Sequence, residues 1–68
     1  MDNQKKFNWV TPTELLELYP KVRVLYTPQR IGYLAMSGAV IAKKRGRVTF
    51  IDKDDFTTFW KWRYHFDL

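Results

Sequence analysis

Apolar residues recur at helical spacing in three stretches of the chain and at alternate positions between them. In "TPTELLELYP", residues 11–20, Leu15, Leu16, Leu18 and Tyr19 make one apolar face. Thr11 is the predicted cap, Pro12 the first helical residue, and Glu14 reaches back to the Thr11 amide in a capping box, while Pro20 closes the helix. In "TPQRIGYLAMSG", residues 27–38, Ile31, Leu34 and Ala35 form a buried stripe between a Thr27–Pro28 start and a Gly38 stop. That stripe leaves Gln29, Arg30, Tyr33, Met36 and Ser37 facing outward. Between these helices "KVRVLY" puts Val22, Val24 and Tyr26 on one side, the pattern of a short strand or an extended connection. Two β-prone runs, Val40 to Lys43 and Val48 to Ile51, flank a turn on Arg45-Gly46 and predict a hairpin with a cationic tip. Asp52 caps a third helix, with Asp54 and Asp55 in its first turn and Phe56, Phe59, Trp60 and Arg63 along one face.

The predicted architecture is therefore α+β, in the order helix, helix, hairpin, helix, within one domain over residues 10–68. Residues 1–9 are expected to be a flexible arm, with Phe7 or Trp9 as its first anchor. At 68 residues the chain is near the lower limit for a self-sufficient core, and with no cysteine it has no disulfide or thiolate-metal support. A single histidine, His65, does not make a structural zinc site, which wants four ligands. No apolar run approaches the roughly 20 residues of a membrane span and no signal peptide opens the chain. The expectation is a cytoplasmic protein without metal or cofactor.

Charge changes the picture more than composition does. The net charge is +5, and all the acids lie at Asp2, Glu14, Glu17, Asp52, Asp54, Asp55 and Asp67. Between Leu18 and Ile51 there is none, whereas Lys21, Arg23, Arg30, Lys43, Lys44, Arg45 and Arg47 fall there. A concentrated basic segment is the electrostatic footprint of nucleic-acid binding.

With these elements in place, the chain resembles the small winged helix-turn-helix domains of the excisionase and MerR type. The resemblance rests on the helix start Thr11 to Glu14, on Ile31, Leu34, Ala35, Ser37 and Gly38, on Arg45, Gly46 and Arg47, and on Ile51, Asp55, Phe56 and Phe59. It covers roughly Val10 to Trp62. It implies a recognition helix presenting Gln29, Arg30 and Tyr33 to the major groove, and a wing from Lys43 to Arg47 lying over backbone or minor groove. The chain departs from the family in two places. "YPKVRVLY" is longer than the usual turn between the helices, and Tyr33 and Met36 stand where the family is often basic.

Those two residues keep several functions open. Gln29 and Arg30 are the side chains on this helix able to make bidentate contacts with bases. Tyr33 suits stacking on an unpaired base, contact with a thymine methyl, or cover for the core edge. With Lys21, Arg23, Ser37 and the wing cations they make up the expected nucleic-acid-binding set. The aromatic tail "FTTFWKWRYHF" has more apolar surface than one helix buries. Phe56, Phe59 and Trp60 are expected in the core, Trp62 and Phe66 form a second surface at i, i+4, and Trp60, Trp62, Tyr64 and Phe66 make up the expected partner-binding set. Fold-back of Trp62 or Phe66 on Phe7 and Trp9 is the alternative. Adjacent Asp54 and Asp55 diverge on a helix, and no nucleophile triad or phosphate loop is present, so catalysis is not expected. Three functions follow. One is an excisionase-like accessory protein of a mobile element that binds duplex DNA and contacts a larger recombination protein. The second is a single-strand-binding subunit of a replication polymerase or primase, and the third a protein adaptor. Self-association is a further possibility for the aromatic tail.

Overall fold

The start of each α-helix follows from a local signal that the chain carries. The computed structural model describes residues 6–68. Strand β1 (Trp9–Val10) leads into helix α1 (Pro12–Leu18). The predicted capping box is present: Thr11 Oγ1 accepts from the Glu14 amide at 3.2 Å, and Glu14 Oε1 accepts from the Thr11 amide at 2.8 Å. Helix α2 (Pro28–Ser37) starts where Thr27 Oγ1 accepts from the Arg30 amide, and stops at Gly38, whose φ of +81° suits glycine. Helix α3 (Lys53–Tyr64) begins at Asp52, whose carboxylate accepts from the Asp54 amide.

Between the helices, strands β2 (Ala42–Arg45) and β3 (Val48–Asp52) form a hairpin where one is predicted. However, β2 starts two residues after Val40, Arg45 pairs with Val48, and the two-residue loop is Gly46-Arg47, headed by Gly46 at φ +62°. Glycine leads such loops because the tight primed turns demand a positive φ there. The sheet is antiparallel in the order β1-β3-β2, with Val10 opposite Ile51 on one side and Ala42 opposite Ile51 on the other. The result is a small α+β fold, three α-helices packed with a three-stranded sheet among the described residues. Its core is Leu15, Leu16, Val22, Tyr26, Ile31, Val40, Ile51, Phe56 and Trp60.

Four expectations are corrected. The segment after Pro20 is neither strand nor extended chain but a 3₁₀ helix, Pro20–Val24. A strand would have turned Val22, Val24 and Tyr26 to one side. Instead Val22 and Tyr26 are buried and Val24 is 83% exposed, because the Tyr26 amide closes a helical turn onto the Val22 carbonyl at 2.8 Å. The arm is also shorter than predicted. Trp9 belongs to the sheet, and Asn8 exchanges hydrogen bonds with the start of α3, accepting from the Lys53 amide at 2.8 Å and donating to Asp52. The remainder of the predicted arm, residues 1–5, lies outside the described residues.

The other two corrections concern the tail. Trp60 is core, 1% exposed, as its place beside Phe56 and Phe59 predicts, and so drops out of the partner-binding set. Tyr64 packs against it at a tilt of 44°, ring centres 4.3 Å apart, and its hydroxyl meets that of Tyr26 at 2.8 Å. Trp62 and Phe66 do not share a helical face. His65 leaves α3 at φ +65°, and Phe66 folds edge-on against Trp60 at 5.9 Å, with Lys21 Nζ 5.8 Å above its ring. In the arm, Phe7 stacks on Trp9 at 4.9 Å. Of the expected partner-binding set, Trp62 alone is fully displayed, at 72% exposure, while Phe66 shows part of its ring.

Candidate nucleic-acid interface

Helix α2 is amphipathic by composition, and its position leaves one side uncovered. Ile31 is fully buried and Leu34 and Ala35 pack against the core edge, so the three anchor the helix. Gln29, Arg30, Tyr33, Met36 and Ser37 are exposed, as the stripe predicts. Gln29 Nε2 donates to the Tyr33 hydroxyl at 3.0 Å, which ties the amide on the first turn to the ring on the second. Ser37 donates its hydroxyl proton to the Leu34 carbonyl at 3.0 Å, leaving lone pairs but no free donor.

On one flank of α2 runs the hairpin. Side chains alternate along a strand. Because Ala42 lies opposite buried Ile51, Lys44 shares its face while Lys43 and Arg45 point to the other. Lys44 and Thr49 line a shallow groove with Ala35 and Met36 of α2. Lys43 is held on the outer face, its Nζ 4.6 Å from the centre of the Trp9 ring and 5.9 Å from that of Phe50. Arg47 occupies the second position of the tip loop.

On the other flank lies the C-terminal half of α3. A groove of about 480 Å³ runs between the two helices, with Arg30, Tyr33 and Ser37 on one wall and Trp62 and Arg63 on the other. Its floor includes Tyr26. Burial and the hydrogen bond with Tyr64 push the Tyr26 phenol up to about 12. The Arg30 guanidinium sits 5.4 Å above the Tyr26 ring and that of Arg63 6.0 Å from the Tyr64 ring.

The expected nucleic-acid residues are thus not gathered into one site. Gln29, Arg30 and Tyr33 stand on α2, and Lys43, Lys44, Arg45 and Arg47 on the hairpin beside it. Lys21 is displaced to the Phe66 tail, and Arg23 to a cleft beside Glu17 and Thr13 of α1. What unites them is the lack of compensation. The three aspartates at the start of α3 are spent on the fold: Asp52 caps the helix, Asp54 accepts from the Asn8 amide group, and Asp55 accepts from the Ile41 amide at 2.7 Å. Among the described residues none of the seven cations from Lys21 to Arg47 pairs with a carboxylate, and the ion pair present joins Lys61 to Asp67.

Sequence reasoning missed Arg63 and put Trp62 with the tail instead of with α2. A signal was there: Arg63 continues the Phe56–Phe59 stripe, and a cation ending a core stripe must bring its charge out at the rim. Among the described residues no group of three or more His, Asp or Glu side chains is placed to hold a metal ion, and no helix is long and apolar enough to cross a membrane. The chain matches no family model, and no curated protein or solved structure matches it either.

Proposed function

We propose that this chain is a non-catalytic DNA-binding module with a winged helix-turn-helix layout. In this reading α1 and α2 are the helix pair, α2 enters the major groove, and the β2–β3 hairpin is the wing. The observation that carries it is the pairing of an exposed, acid-free α2 face with a hairpin alongside whose four cations have no carboxylate partner among the described residues. Uncompensated cations on a β-ribbon are suited to phosphates, whose neutralisation supplies a large share of the affinity of such modules. Gln29 and Arg30 are the side chains able to read base edges. A role as an accessory protein in excisive recombination or in regulation follows from the resemblance to excisionase-type domains.

The test is binding to duplex DNA over a range of salt. Replacing Lys43, Lys44, Arg45 and Arg47 with Ala should weaken binding to all duplex sequences alike. It should also flatten the plot of log K against log salt by roughly 0.9 of a unit for each phosphate that the hairpin no longer neutralises. An unchanged slope would mean that the hairpin does not touch the backbone.

A further inference from the structure

We infer that the groove between α2 and α3 takes an unpaired nucleobase together with its phosphate, a site that shares Arg30 and Tyr33 with the duplex-binding face proposed above and adds Trp62 and Arg63 of α3. Two aromatic rings stand exposed across it, Tyr33 at 58% and Trp62 at 72%. A large ring left in water on each wall of a cleft offers a planar solute two faces to stack on, and every base has a π-face to give. The rims carry Arg30 and Arg63, and among the described residues no acid lines the groove. Each guanidinium is held near the ring of one member of a hydrogen-bonded tyrosine pair, Arg30 over Tyr26 and Arg63 by Tyr64. Both cations thus stand at the groove rim with a ring beside them, within reach of a phosphate on a base held in the groove. The volume of about 480 Å³ falls within the roughly 300–1,000 Å³ of small-ligand clefts.

Charge decides between occupants. An apolar peptide would leave two guanidiniums facing it unpaired, and an acidic peptide would satisfy them but leave the rings without a planar partner. A nucleotide meets both demands at once. Duplex DNA does not, because its bases are already stacked. The site is thus suited to a single-stranded segment, or to a base swung out of a duplex.

The experiment compares fluorescein-labelled (dT)8 with a labelled duplex by anisotropy, using the whole chain. Trp62→Ala should weaken (dT)8 binding roughly 5- to 150-fold, the range expected for removal of one base–aromatic stack, and leave duplex binding within about twofold. Trp62→Phe, which keeps a ring, should restore most of the affinity. Arg63→Ala should weaken (dT)8 in a salt-dependent way. Equal affinity of wild type and Trp62→Ala for (dT)8 would overturn the proposal. So would poly-L-glutamate competing as well as (dT)8 at equal charge, since the groove would then read charge alone. A chain that binds (dT)8 but no duplex would instead sink the reading of α2 and the hairpin and leave the groove standing.

Discussion

Tyr26 shows how much one side chain can be asked to do. Its ring closes the core against Trp60 at 5.9 Å, its hydroxyl meets Tyr64, and its outer face lies under Arg30. Burial and the Tyr64 hydrogen bond raise its phenol from the usual value near 10 to about 12, against a smaller downward pull from Arg30 and Arg63. A folded state that holds this proton more tightly than the unfolded chain is stabilised fully below about pH 10. That advantage is lost as pH climbs from about 10 to about 12, and a two-unit difference is worth on the order of 2–3 kcal/mol. Urea midpoints measured from pH 9 to 11.5 should therefore fall more steeply for the wild type than for Tyr26→Phe. Lysine deprotonation is common to both proteins and cancels in the difference. Parallel curves would mean that the phenol titrates alike in the folded and unfolded chains.

Among the elements, α3 is the one that fixes the hairpin. Asp55 accepts from the Ile41 amide at 2.7 Å, at the point where the chain enters β2, and its charge also sits in the first turn of α3. Asp55→Ala should therefore lower stability by about 1–3 kcal/mol, because it removes both a charge-assisted hydrogen bond and a negative charge from the helix N-terminus. Denaturant titration checks this, and a change below about 0.5 kcal/mol would make the interaction incidental. The three α-helices were legible from the chain because each start is a local event: Thr11, Thr27 and Asp52 need only their own next three residues. The hairpin was legible for the same reason, a glycine between two β-prone runs. The 3₁₀ helix was not, since alternating valines suit an extended chain until burial of Val22 and Tyr26 settles the matter. Strand β1 is two residues whose pairing partners lie more than 40 positions away, so no local pattern announces it. The tail misled for a related reason. Helical spacing pairs Trp62 with Phe66 only while the helix continues, and His65 turns left-handed without a glycine to signal it. The candidate site divides along the same line. The outward face of α2 could be read from its stripe, but the approach of Trp62 and Arg63 to it depends on how two helices pack.

At the scale of the molecule, the aromatic surplus that pointed to a docking tail is mostly consumed by the fold. Three tryptophans sit in three environments: Trp60 in the core, Trp9 half-buried between Phe7 and Lys43, and Trp62 displayed on the rim of the α2–α3 groove. An assembly through the aromatic tail therefore has Trp62 as its main handle, with only part of the Phe66 ring beside it. The isolated chain should then give heterogeneous emission, with an acrylamide-accessible, red-shifted component that vanishes in Trp62→Phe and a shielded component that remains. The accessible component should be the same at low and high micromolar concentration if copies of the chain do not cover Trp62. Loss of its accessibility as concentration rises, together with a larger hydrodynamic radius, would mean that a second copy covers the groove rim. The groove would then be an interface between copies and closed to a base, so this measurement belongs before any oligonucleotide titration. A uniformly quencher-resistant wild type that stays monomeric would be harder still on both proposals, because Trp62 could then not occupy the exposed position from which the groove and the docking handle are argued.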